Sequence, residues 1–570
     1  MEDKALQMGK SSTVGSFFLL IGVVGSNVIL ALGTLILAGL LSDSELGLYS
    51  IVLIPSNIIA YFRDLGVNSA ITQKIASLRA ENKTDEIHDI VLSGIVFELV
   101  SGALLALACF AIAQPIAMIL NRPDASPLIA LMSISIFASA VVSAGSAIFV
   151  GFEKMKLNSF TQILQALIKT LLGPLMVFLG FSVLGAVLGA VVSVVVGGII
   201  SIGLVYFALF RPLRKSKVGA CNIKRTLTPM LKYGVPLTLS NIVVGVLPQI
   251  FAFFMALYVS NSMMGNYTAA MYFAILVTFI SFPISTALFP AFSKLNPEKE
   301  PELVKTVFAS SVKYTALVLI PTTMLIITLS TPIVNTLFPQ AGILSYLQNG
   351  LSGIKDFLFG VDIAPKFPYA PIFLALSSIV NLLVLFGHVS LSAFQTGIGK
   401  TKQMMKQSIL SLAISLPFSY VIITYFGTFF SGAESEMFVI IGGILSVMVS
   451  TIPGMVWGLI WSWKKYRIKA DFKNSAKIFT SSLIASIVAY VFVTVINASY
   501  PILLLTGALL FLVVYLIVTP LIGAINRVDI DNLKQMSSEL GIISKIIKIL
   551  LTFMQKFSKK NPEQNTFDIK

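Results

Sequence analysis

Lys169 is the residue of this chain whose type and setting most directly suggest chemistry. It lies inside a long apolar stretch, 13 residues beyond Lys156 and hence about 20 Å along a helix, with Gln165 and Gln162 on its face at i−4 and i−7. An ammonium group there is too deep to snorkel easily and is suited, as a compact charge, to a phosphate. The alternative is a carboxylate partner that neutralises it for packing. Glu98, 10 residues past His88 and about 15 Å into the third apolar stretch, is the candidate partner and could instead carry a proton.

Ionisable groups in hydrocarbon cost about 2.5–3.5 kcal/mol on insertion scales, so each one needs a reason. His388, deep in the tenth stretch, is either a proton switch or a histidine satisfied by a neighbouring hydroxyl. Arg63 and Asp64 end the second stretch. They either snorkel to the interface or form a mouth at which the guanidinium meets an anionic headgroup bidentately. Lys313, at the end of the ninth stretch, is expected to snorkel. Asn241, Pro248 and Gln249 are expected to interrupt the seventh stretch near mid-depth, as a ligand-facing break or as a static kink.

The elements that must position these residues are membrane spans. Of 570 residues 56% are hydrophobic and 11% charged, with mean hydropathy +0.91. A soluble surface needs about 25% charged residues. Fourteen apolar stretches approach the 20 or so residues that cross hydrocarbon: near 14–41, 45–65, 90–113, 126–150, 158–180, 182–210, 234–259, 263–291, 308–330, 369–396, 404–429, 435–462, 477–497 and 500–524. The polar segment 1–13 followed by so long a run is not a cleavable signal, so the first stretch is expected to remain as a span. Cys109 and Cys221 lie in different environments, and no disulfide, catalytic, cofactor or metal site follows.

The net charge of +15 resides in connectors, which argues against a nucleic-acid partner. Connectors after even-numbered stretches carry Lys154 and Lys156, Lys400 and Lys402, and Lys464 and Lys465 among others; those after odd-numbered stretches hold only Arg122, Lys355 and Lys366. The positive-inside bias places both termini in the cytoplasm, in a multi-pass protein of the cell membrane. The paired lysines read better as topology signals than as ligands.

The chain is also duplicated. SAIFVGFEKMK (146–156) returns as SAFQTGIGKTK (392–402), shifted by 246, and SDSELGLY (42–49) returns as SNSMMGNY (260–267), shifted by 218. The difference, 28, locates an insertion in the second copy, at the polar, Gly-containing stretch 339–366. The expected architecture is all-α: an N-lobe (1–218), a C-lobe (219–470), two further helices (471–526) and a cytoplasmic tail (527–570). Six spans per copy relate the lobes by an axis along the membrane normal. In the tail, Lys545, Lys548, Lys556 and Lys559 share a stripe beside isoleucines, predicting a helix on the anionic leaflet, or else a solvated tail.

GIGKTK after the tenth span, GFEKMK after the fourth, DLGVNSA (64–70) and MGNYTAA (264–270) together resemble the polysaccharide flippase branch of the multidrug, oligosaccharidyl-lipid and polysaccharide exporter superfamily. The resemblance covers nearly the whole chain. It implies two six-helix bundles around a central cavity, and alternating access that carries a prenyl-(pyro)phosphate-linked oligosaccharide to the outer leaflet. Lys169, Arg63, Asp64, Gln162, Gln165, Gln249 and Asn241 become candidates for the substrate, and Glu98 and His388 for a coupling H+ or Na+. Gln249 stands where many relatives have an acidic residue, and the 339–366 connector is also unusual.

Three functions compete. The first is a flippase acting as a monomer on lipid-linked oligosaccharide among membrane lipids, without a cofactor. The second is a drug or organic-cation antiporter, which needs acidic residues deep in the spans. The third is a membrane polymerase or glycosyltransferase, for which the long outer loop offers only Asp356 and Asp362 and no histidine.

Overall fold

The computed structural model describes residues 22–81, 84–210, 223–340, 342, 350–360, 365–430, 432–536 and 542–558. Cys221 and Asp362 lie outside the described residues, as does the side chain of Asn241. Among them there is no strand, only an isolated bridge between Pro339 and Pro365. In order the helices are α1 (Gly22–Leu40), α2 (Asp43–Ala60), α3 (Val67–Ala80), α4 (Thr84–Ile119), α5 (Ser126–Gly151), α6 (Met155–Met176) and α7 (Ser182–Val205). Then come α8 (Ile223–Ala256), α9 (Asn261–Ser293), α10 (Pro301–Thr328), α11 (Ser330–Leu337), α12 (Gly350–Phe359), α13 (Ala370–Ser378) and α14 (His388–Gly397). The last six are α15 (Thr401–Phe429), α16 (Ala433–Tyr466), α17 (Phe472–Val495), α18 (Tyr500–Leu521), α19 (Arg527–Met536) and α20 (Ile542–Phe557).

Helix occupies each of the fourteen apolar stretches. Among the described residues nine helical segments are long and apolar enough to cross a bilayer. One of them, the 55-residue Met155–Leu209, contains both α6 and α7, which separate where Gly180 (φ 93°) and Ser182 (φ 48°) leave helical geometry. A tenth is the pair formed by Ala370–Phe386 and α14, bent by 58°. Large apolar side chains such as Leu104, Leu107 and Phe110 of α4 are exposed along these segments. A surface of this kind is stable against lipid, and the protein is a multi-pass membrane protein.

Packing groups Met1–Thr268 with Leu412–Ser446 in one compact unit, and Ala269–Ser411 with Val447–Lys570 in a second. Each unit places one copy of the repeated motif in its core. Ala147, Ile148 and Phe149 pack in the first unit with Ile71, Ile75 and Val91; Ala393 and Phe394 pack in the second with Phe292 and Phe308, whose rings meet Phe394 at 5.5 and 5.8 Å. The lysines that end each motif lie outside these clusters.

The other repeat forms a contact with itself, inside the first unit. Ser42 caps α2 through a reciprocal bond with Glu45, and α2 then crosses the start of α9. A Cβ on Gly47 would lie 1.7 Å from the Asn261 carbonyl oxygen, and one on Gly265 would lie 1.8 Å from the Asp43 carbonyl oxygen. The shift of 218 relates Gly47 to Gly265 and Asp43 to Asn261, so the two glycines are needed for the same reason: backbone approaches backbone where no side chain fits. Nearby, Arg122 donates to Asn261 Oδ1 (2.6 Å) and to the carbonyls of Leu120 (2.8 Å), Ala256 (2.7 Å) and Val259 (2.5 Å). Burial lowers its pKa, and the neighbouring Glu436 carboxylate opposes that shift.

Three expectations need correction. α8 runs through Pro248 without interruption. Lys313 does not snorkel; it forms an ion pair with Asp529, both side chains largely buried, which ties α19 to α10. The tail helix α20 exists and keeps Lys545, Lys548 and Lys556 exposed, but Leu551 and Met554 are buried where it packs on α18 and α19. Protein covers part of the face that the sequence assigned to lipid. In the inserted connector, α12 packs on α18, and Ser499 donates to the Leu358 carbonyl.

Candidate functional site

The site begins where α2 ends early, at Ala60. The chain then turns through Leu65 (φ 46°) and Gly66 (φ 78°), and a Cβ on Gly66 would sit 2.2 Å from the Gly234 carbonyl oxygen. This turn sends Arg63 inward rather than to the interface. Its Nη1 donates to Ser139 Oγ (2.6 Å), its Nη2 to Ser143 Oγ (2.8 Å), and its Nε lies 3.2 Å from Glu98 Oε2 without hydrogen-bond alignment. The side chains of Arg63 and Glu98 are 9% and 1% exposed, which rules out snorkelling for Arg63. Asn68 donates to the other Glu98 oxygen (2.8 Å), and its own N–H is accepted by Asp64 Oδ1 (2.8 Å). Asp64 thus serves as a cap for the first turn of α3. Glu98 is therefore the partner of Arg63 and not of Lys169: two opposite charges in an apolar interior are tolerable only together.

Beside this pair is a cavity of about 430 Å³ within the first unit, lined by polar side chains of α3, α5, α6 and α7. Asn68, Asn158 and Gln162 contribute amides, and Ser143, Thr161 and Ser201 hydroxyls. Ser146 Oγ, from the repeated motif, donates to Asn158 Oδ1 at 2.7 Å and so joins α5 to α6.

The stripe predicted on α6 divides among three environments. Gln162 lines the cavity, while Gln165 packs on Gly197 of α7, where an added Cβ would lie 3.4 Å from its side chain. Lys169 is half-buried in a recess of about 20 Å³ against α1 and α2, beside Thr34, Tyr49 and Thr170. It has no hydrogen-bond or ion-pair partner among the described residues. Among the described residues, Lys169 is the candidate cation left with nothing to neutralise it.

The remaining candidates lie apart. Gln249 accepts a long bond from Asn57 Nδ2, at 3.4 Å. His388 follows Gly387 (φ 82°) at the bend between Ala370–Phe386 and α14, and its buried Nδ1 has no partner among the described residues. No group of three or more His, Cys, Asp or Glu that could hold a metal ion occurs among the described residues.

Sequence reading missed Asn68, Ser139, Ser143, Ser146, Asn158, Thr161 and Ser201. A signal existed for two of them, since Asn68 lies in DLGVNSA and Ser146 opens the repeated motif. Isolated Ser and Thr in an apolar helix carry no such mark, because each can satisfy itself on a carbonyl three or four residues back, as Ser139 does on Ile136 and Thr161 on Leu157.

The fold matches that of two transporters. The lipid II flippase MurJ, in an inward closed conformation, aligns with TM-score 0.67 and 17% identity over 88% of this chain and 98% of its own. An inward-facing multidrug resistance MATE family transporter of the MOP superfamily aligns with TM-score 0.60 and 16% identity over 76% of this chain and 94% of its own. No curated protein matches the chain in sequence. The profile of a family described as "Polysaccharide biosynthesis protein" matches residues 12–296, half of the chain. The two-unit helical fold, the repeated motifs and this match together assign the chain to the polysaccharide biosynthesis protein family.

Proposed function

We propose that the protein is a flippase that carries a prenyl-(pyro)phosphate-linked oligosaccharide from the cytoplasmic to the outer leaflet of the cell membrane, without covalent chemistry. One observation carries the reading. Glu98, a carboxylate buried within a span, is held by Arg63 and Asn68, whereas Lys169 has no partner among the described residues. The interior thus favours an anionic cargo over the organic cation that an antiporter would take. Membership in a polysaccharide biosynthesis family and the fold shared with a lipid II flippase support the same cargo class.

In this reading Lys169 holds the phosphate, and the lobes 1–218 and 219–470 alternate access as a monomer with both termini in the cytoplasm. Residues 471–526 and the tail 527–570 are accessory. If an ion is coupled, His388, with a buried and unpartnered nitrogen, is a better candidate than Glu98, which is already held. Depletion of the protein should make lipid-linked oligosaccharide accumulate on the cytoplasmic leaflet. An unchanged pool, with drug extrusion lost instead, would select the antiporter.

A further inference from the structure

The 430 Å³ cavity lies within the roughly 300–1,000 Å³ range of ligand pockets, and nine of its thirteen lining residues carry a polar side chain, beside Val142, Ala147, Phe149 and Val150, where such pockets are mainly apolar. We infer that it is a binding pocket for a neutral, hydroxyl-rich sugar unit; this rests on the flippase reading and specifies which part of the cargo the cavity takes.

The lining supplies amides and hydroxyls and no charged side chain. Amides and hydroxyls both donate and accept, and only a ligand that does the same at several points around a ring can satisfy them together. Two lining residues hold buried polar atoms with no partner among the described residues: the Oγ of Ser201, itself 0% exposed, and the Oδ1 of Asn68. Buried polar atoms left without a partner are costly, and a bound hydroxyl would satisfy them.

A metal cation is a poorer fit. It would want a carboxylate among its ligands, and the adjacent Glu98 is already held by Arg63 and Asn68. Water alone would fill the volume with more than ten molecules, at about 30 Å³ each, and a bound sugar would displace them. The position also suits a sugar joined to a phosphate. Gln162 in the cavity and Lys169 in its recess are seven residues apart on α6, two turns or about 10 Å along one face.

The test is equilibrium dialysis of the purified full-length protein in lipid nanodiscs against radiolabelled N-acetylglucosamine, galactose and rhamnose. At least one should bind saturably at one site per chain. Asn158→Leu and Gln162→Leu should each weaken binding about tenfold, the effect of replacing a hydrogen-bonding partner by an apolar group. Because Asn158 also holds Ser146, Thr161→Val is measured beside them, as it removes one hydroxyl at nearly constant shape; it should weaken binding about threefold at an unchanged melting temperature. No saturable binding of any of the three sugars, or binding that all three variants leave intact, would overturn the pocket. So would displacement of the bound sugar by sodium chloride but not by choline chloride, which would assign the cavity to a cation. Failure of the flippase reading looks different: sugar affinity and its loss in the variants would persist, while depletion would leave the lipid-linked pool unchanged.

Discussion

Arg63 and Lys169 are two basic residues set among apolar helices of the same unit, and the structure treats them in opposite ways. Arg63 is enclosed by Glu98, Ser139 and Ser143, so that its two terminal nitrogens and its charge are all answered by protein. Lys169 sits beside Tyr49, Thr34, Thr170 and aliphatic side chains in a small recess, with no ion-pair partner among the described residues. The first arrangement is complete without substrate. The second is stable only while the lysine tolerates its surroundings, and it improves when an anion arrives. A buried charge is thus informative through its partners and not through its depth.

The largest effect should come from breaking the complete arrangement. Arg63→Met leaves Glu98 buried without a counter-charge and should cost about 3–5 kcal/mol, read as a lower melting temperature in detergent. Adding Glu98→Gln should recover most of that loss. If the double variant is no more stable than Arg63→Met alone, the pair does not act as a unit. Next in size is Lys169→Met, which should slow flipping at least tenfold, or about 1.4 kcal/mol, while the melting temperature stays level or rises. Combining it with Glu98→Gln should not restore transport, since Glu98 belongs to Arg63. Recovery of transport there would end the ligand assignment and make Lys169 a packing residue.

The same contrast explains what was legible in the sequence. Long apolar runs and lysine-bearing connectors identify helices, because hydrocarbon permits little else. The repeats were visible as letters, and one of them proved to be a point of contact, with Gly47 and Gly265 each pressed on backbone of the other copy. Partnership was not legible. Arg63 and Glu98 are 35 residues apart on different elements, and no periodicity links them. The three polar residues of α6 share a stripe, yet they meet three surroundings, because the stripe is met by α7 at Gln165 and by α1 and α2 at Lys169. In the tail the apolar face of α20 was visible, but whether lipid or α18 and α19 would cover it depends on how the chain returns.

A third basic residue places Lys313 with Arg63 and not with Lys169. It pairs with Asp529, which also accepts the Asn526 N–H at 2.9 Å. Lys313→Met should cost about 1.5–3 kcal/mol, the range for a hydrogen bond to a charged group. The loss should be local: faster hydrogen exchange and protease cleavage in α19, with α2 to α7 unchanged. A uniform loss over the whole chain would mean that the ion pair supports more than the tail.

Gln249 should show the smallest effect and is the most direct check on the contrast. Its bond from Asn57 is long, at 3.4 Å, and Asn57 is exposed, so little free energy rests on that contact. Gln249→Met should change stability by no more than about 0.5 kcal/mol, the low end for a neutral hydrogen bond. Transport is the informative readout. If the residue only fills space on α8, flipping should also be unchanged, because methionine has nearly the same length and flexibility. If flipping falls severalfold at constant melting temperature, Gln249 joins Lys169 among the groups that wait for cargo, and the division between satisfied and waiting residues would extend beyond charge to amides.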